Sequence, residues 1–187
     1  MCAVLGTFLV LLGSISCTRS FDMSDERLTP LGTQWGVVIG SVLVQPPPGG
    51  KERDESYEFD IVQIQPADPD GESPYAERYR LDAKAGEERT FISRLRSGRY
   101  LVKNFHQAGV LGLGGELDLV FHSMAGEVRY IGRLRIEIPQ RLSKGKGYRF
   151  AVDNARDTTL AQLSKQHGDV TTEVHDFPMT PRLREAP

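Results

Sequence analysis

The chain has 187 residues, 39% of them hydrophobic and 26% charged, with a formal net charge of −2. That length buries one core of ordinary size, and the near-neutral balance offers no field for a bulk polyanion, which excludes nucleic acid as a partner class. The two cysteines are Cys2 and Cys17, so everything after residue 17 is free of disulfides, thiolate metal sites and cysteine nucleophiles.

Ala3 to Ile15 is an uncharged apolar run. A stable membrane span needs about 20 such residues, so this run has the length of a signal-peptide core instead. No Lys or Arg precedes it. Ser14-Ile15-Ser16-Cys17 closes the run and resembles the lipobox of bacterial lipoproteins. The resemblance implies a signal peptide over residues 1–16 and a Cys17 that becomes the acylated, palmitate-bearing mature terminus. Ser14 departs from the pattern, which usually has Leu there, and Ser14 with Ser16 also satisfies the small-x-small rule of ordinary secretory cleavage. Thr18 is not the aspartate associated with inner-membrane retention, which points to a periplasmic protein on the outer membrane.

Residues 17–33 are polar, hold Asp22, Asp25, Glu26 and Pro30, and read as a lipidated tether. Trp35 to Gln45 is a Val- and Ile-rich strand stopped by Pro46-Pro47-Pro48-Gly49-Gly50. Tyr57, Phe59 and Ile61 alternate with Glu58 and Asp60 as in a half-buried strand. A Pro/Gly loop with Asp68, Asp70 and Glu72 follows, then a short strand around Tyr79 to Ala83. Thr90–Leu95 and Tyr100–Phe105 flank Arg96-Ser97-Gly98-Arg99, which predicts a tight hairpin. Leu117, Leu119 and Phe121 mark another strand. The clearest alternation puts Val128, Tyr130, Gly132, Leu134, Ile136 and Ile138 on one face and Arg129, Ile131, Arg133 and Arg135 on the other. Tyr148 to Val152 is a strand, and Asp153 or Asn154 caps a helix over Ala155 to Gln166 whose narrow Leu160/Leu163 face suits the outside of a sheet. Residues 178–187 read as a flexible tail.

The expected fold is mainly β, an antiparallel β-sandwich of about seven or eight strands over residues 34–177 with one C-terminal helix, or else a curled barrel. Leu95 to Val102 resembles the L-x-x-G-x-Y-x-V hairpin of prealbumin-like and carboxypeptidase-regulatory-like β-sandwiches. Ala125 to Gly132 is similar to the G-E-V-x-Y-I-G segment of small uncharacterised bacterial lipoproteins. Together the two resemblances cover residues 90–165 and imply a sandwich in the envelope; they imply no catalytic residues.

Charge is uneven along the chain, with 12 acids against 6 bases in residues 51–90 and 4 against 11 in residues 91–150. Pairing between strands of the two segments neutralises such an asymmetry. Arg129, Arg133 and Arg135 form the candidate interaction patch, a basic ladder suited to phosphates or carboxylates. Gly109 to Gly115 fits neither nucleotide-binding glycine pattern and reads as a hairpin loop. Asp68, Asp70 and Glu72 are alternate oxygen donors without the rest of a calcium loop. His167, Glu173, His175 and Asp176 could join in a zinc site only through a terminal fold. No G-x-S-x-G elbow surrounds Ser93, Ser97 or Ser123.

No cofactor or metal is implied. The leading functional expectation is a lipid-anchored, non-enzymatic interaction or structural module, held to the membrane by its lipid and meeting an envelope protein. The alternative is an envelope hydrolase or its accessory subunit acting on glycan or peptide, which needs Asp60, Glu116 or Asp118 to converge in a cleft.

Overall fold

A computed structural model describes residues 18–22, 33–46, 55–64, 76–110, 113–139, 147–167 and 173–182. Cys17 and the loop of Asp68, Asp70 and Glu72 lie outside the described residues. In chain order the elements are β1 (Arg19–Ser20), β2 (Trp35–Gln45), β3 (Ser56–Ile64), β4 (Arg78–Lys84), β5 (Glu88–Arg96) and β6 (Gly98–Gln107). They continue with β7 (Gly114–Ser123), β8 (Val128–Glu137), β9 (Arg149–Asp153), α1 (Arg156–His167), β10 (Val174–Asp176) and β11 (Thr180–Pro181). A six-stranded sheet in the order β1-β4-β3-β6-β7-β11 faces a five-stranded sheet of β10-β8-β2-β5, to which β9 adds on the β8 edge. Two sheets around one core make the fold a sandwich and not a barrel. Most pairings are antiparallel, but β1–β4, β2–β8 and β10–β8 run parallel.

The sequence signals follow from this layering. β4 alternates strictly between exposed and buried because one of its faces meets solvent. β2 is apolar on both sides because it is central and covered twice. Val38, Val42 and Val44 enter the main core, whereas Val37 and Ile39 pack with Leu163 of α1 in a second cluster on the outer face. The helix starts as predicted: the Asn154 Oδ1 accepts the Arg156 N–H at 3.1 Å, and the Tyr130 hydroxyl accepts that of Ala155 at 2.9 Å.

The expected hairpin at residues 96–99 is instead a crossover. β5 pairs with β2 in one sheet and β6 pairs with β3 and β7 in the other, so Ser97 carries the chain across the sandwich. The Tyr100 hydroxyl donates to the Arg96 carbonyl at 2.9 Å across this corner. Such an arch and a hairpin use the same Gly-containing turn flanked by strand residues, so local pattern does not separate them.

Both segments read as loose are partly built into the domain. Within the expected tether, β1 adds to the β4 edge and Phe21, 1% exposed, enters the core. Its ring lies 5.2 Å from Phe91, 6.0 Å from Tyr79 and 6.1 Å from Phe121, touching strands of both sheets. Within the expected tail, Met179 is buried in the same core and Thr180–Pro181 pairs with β7. The chain from β10 to β11 therefore crosses from the edge of one sheet to the edge of the other. Terminal segments close both open sides of the sandwich, which covers edge strands that would otherwise template pairing with other chains.

Candidate functional site

The arginines of β8 are arranged by a bulge. Register against β2 advances from Ile39↔Tyr130 to Ser41↔Arg133, so β8 spends one extra residue there. Gly132 takes φ 95° at this point, a backbone that side chains rarely adopt. A Cβ on Gly132 would sit 2.6 Å from the Val152 Cγ1. Opposite it, a Cβ on Gly40 would meet the Phe91 ring at 2.7 Å and the Gly132 carbonyl at 2.9 Å. The extra residue reverses the alternation. Val128 and Tyr130 belong to the outer cluster, but Ile131, Leu134 and Ile136 belong to the main core. Arg129 is consequently on the opposite side of the sheet from Arg133 and Arg135, and the single ladder read from the sequence does not exist.

Each arginine has a partner. Arg129 is 6% exposed, its Nε donates to the Glu127 Oε2 at 2.8 Å, and its guanidinium lies 4.0 Å from the centre of the Phe177 ring. On the outer face, the Asp153 Oδ2 accepts from the Arg135 Nε at 2.9 Å and the Arg133 Nη2 at 3.2 Å. The bonds from Arg135, then those from Arg133, hold the Asp153 carboxyl below the usual aspartate range. Arg133 also approaches Glu88 at 3.7 Å, and the Ser41 hydroxyl donates to the other Glu88 oxygen at 2.7 Å. Ser41 of β2 and Thr159 of α1, both fully buried where the helix meets the sheet, are 3.4 Å apart.

This polar network leads to an open cleft of about 660 Å³ between the second half of α1 and the β4–β5 turn. Asp22, Lys84, Glu88, Arg89, Gln162 and Lys165 are among its lining residues. Asp22 and Arg89 form an ion pair at 2.9 Å across its wall. Charges of both signs and two amides line one concave surface, a donor and acceptor set that fits a polar peptide segment better than a lipid chain. No local pattern announces this cleft, because its walls come from three separated stretches of chain: Asp22, residues 84–90 and residues 162–166.

The remaining candidates are dispersed. Asp60 lies on the outer face of the six-stranded sheet, 3.8 Å from the His106 Nδ1, while the His106 Nε2 lies 3.0 Å from Glu58, which also pairs with Arg80 at 2.9 Å. Asp60, Glu116 and Asp118 do not line the cleft. The hydroxyls of Ser93, Ser97 and Ser123 donate to the carbonyls of Phe21, Ser123 and Leu95. Asp176 pairs with Arg156 at 3.3 Å, and among the described residues no three His, Cys, Asp or Glu gather as a metal site. Among the same residues no helix is long and apolar enough to cross a membrane.

No family model and no curated protein matches the chain. Among solved structures it is similar to the T6SS lipoprotein TssJ1 from Pseudomonas aeruginosa, with a TM-score of 0.33 and 12% identity over 64% of this chain and 98% of that one.

Proposed function

We propose that this chain is a lipid-anchored protein of the bacterial envelope that works by binding a protein partner through the cleft beside α1. The observation that supports this most is the docking of residues 19–22. Cys17 stands two residues before β1, and Asp22, at the end of the docked segment, lines the cleft. An acyl group at Cys17 would thus fix a rigid body to the membrane surface, with its recognition surface turned away from the membrane at the far end of β4. The charged walls of the cleft favour an extended polar segment of an envelope protein, recognised by hydrogen bonds and ion pairs.

Two readings test it in cells producing the full chain. The intact mass of the exported protein is expected to show a diacylglyceryl group on Cys17; a secreted chain without it overturns the anchor. A photo-crosslinking residue replacing Lys165, in the cleft, is expected to trap one discrete partner. The same residue replacing Arg149, on the opposite edge strand, should trap none. Equal yields from both positions would overturn the cleft.

A further inference from the structure

We infer that the end of the sandwich carrying Trp35, Arg96 and Arg99 rests on the membrane and binds anionic phospholipid headgroups. This inference rests on the anchor at Cys17 proposed above, and goes beyond it by naming the surface that meets the lipid.

The path of the chain selects the end. β1 runs parallel to β4 with Arg19 beside Tyr79, so the chain before Arg19 leaves from the end where β4 begins at Arg78. One residue, Thr18, separates Arg19 from Cys17. An extended chain covers at most about 3.5 Å per residue, so a lipid on Cys17 stays within roughly 7 Å of that end. A tether running to residue 33 would leave the orientation free; two residues do not.

The same end is basic and aromatic. Trp35 opens β2 opposite Arg96, the last residue of β5. Arg99, near the start of β6, lies between Ile64 and His122, and Arg78 lies beside Val62. The guanidinium groups of Arg94 and Arg96 lie 5.4 and 5.6 Å from the centre of the Trp35 ring. The side chains of Arg19 and Arg96 are 65% and 58% exposed. Among the described residues around them, Glu77 supplies the counter-charge, 3.8 Å from each of the two. Burial first, and then Arg99 and Arg129, hold the proton affinity of His122 below the ordinary histidine value. Arginine forks match phosphate oxygens, and tryptophan favours the headgroup level of a bilayer. The loop between β3 and β4 also leaves from this end and carries Asp68, Asp70 and Glu72.

Trp35 is the chain's sole tryptophan and so reports on this end alone. The lipid-bearing full chain, its mass verified, is placed in vesicles of phosphatidylethanolamine with phosphatidylglycerol and in vesicles of phosphatidylcholine. Each set carries brominated acyl chains. The Trp35 emission is expected to be quenched by the brominated lipid and protected from acrylamide on the anionic vesicles, and less so on the neutral ones. Arg96→Ser with Arg99→Ser is expected to weaken association of this end with the anionic headgroups by about five-fold for each arginine, and so to reduce that quenching. Arg149→Ser, away from this end, should leave it unchanged. Trp35 open to acrylamide on anionic vesicles, equal quenching on both lipids, or an equal loss with Arg149→Ser would each overturn the inference. Failure of the anchor has a different signature, an exported chain without the lipid mass. In that case Cys17→Ser protein sedimenting with anionic vesicles, and released by Arg96→Ser with Arg99→Ser, would still support the headgroup surface; no sedimentation would overturn it.

Discussion

The Ser93 hydroxyl donates a hydrogen bond to the backbone carbonyl of Phe21. Ser93 lies on β5 of the five-stranded sheet, and Phe21 follows β1 on the edge of the six-stranded one, so this bond ties the N-terminal segment across the gap between the sheets. Phe21→Ala is expected to cost about 3–5 kcal/mol, because the ring is fully buried among three other aromatic residues. Ser93→Ala, which leaves a buried carbonyl without its donor, should cost about 1–2 kcal/mol. Urea unfolding of the purified chain measures both. A Phe21→Ala protein as stable as the parent would mean that residues 19–22 are not part of the fold.

The opposite edge makes a matching prediction. Met179 is 5% exposed in the main core, just before β11 reaches β7. Met179→Ala is expected to lower stability by about 2–4 kcal/mol in the same assay. Amide exchange at Leu119 and Val120, the β11 partners, should quicken in that variant.

Gly132→Ala tests the bulge. The new methyl group would have to adopt φ 95° and sit 2.6 Å from the Val152 Cγ1. A loss of about 1–3 kcal/mol is expected from backbone strain alone, and more with the clash. Val152→Ala in the same chain relieves the contact but not the backbone, so it should restore only part of the loss. Full restoration would mean that the conformation at Gly132 is not strained.

Asp153 gives the fold a dependence on pH. Its hydrogen bonds with Arg135 and Arg133 depress its pKa on folding. A depressed carboxylate contributes stability that is complete above the ordinary aspartate range and is lost as the pH falls through the depressed value. Asp153→Asn is expected to lower stability at neutral pH by about 1 kcal/mol and to flatten the acid limb of the stability curve. Stability measured by denaturant from neutral to strongly acidic pH shows both effects. An acid limb unchanged by the substitution would remove Asp153 from the account.

The strands from Trp35 to Asp153 and the capped helix were legible because each carries its own period and its own punctuation. Trp35–Gln45 begins and ends where its sequence does. What escaped was everything decided at a distance. Two-residue β1 and β11 are too short to show alternation, and their placement comes from Phe21 and Met179 finding space in the core. The Arg96–Arg99 turn looks the same whether the next strand pairs with β5 or crosses to the other sheet. The Arg129, Arg133, Arg135 ladder failed because strict alternation assumes a regular strand, and Gly132, counted as a face residue, is the position that breaks it. The cleft could not be read at all, since Asp22, Glu88 and Lys165 become neighbours only when the sandwich closes.

The parallel pairing of β2 with β8, Val37 beside Val128 and Val44 beside Ile136, has a consequence for how the protein is made. The strand richest in β-branched residues is the first long one to emerge, and its central partner is the eighth. Closing so long a loop is slow, so topology delays the five-stranded sheet until nearly the whole chain is available. In the interval the segment from Val37 to Val44 is apolar, uncharged and free of proline, which is the composition that self-associates most readily. Newly made chains are therefore open to self-association until β8 is available, and a defect in β8 is expected to appear first as aggregation.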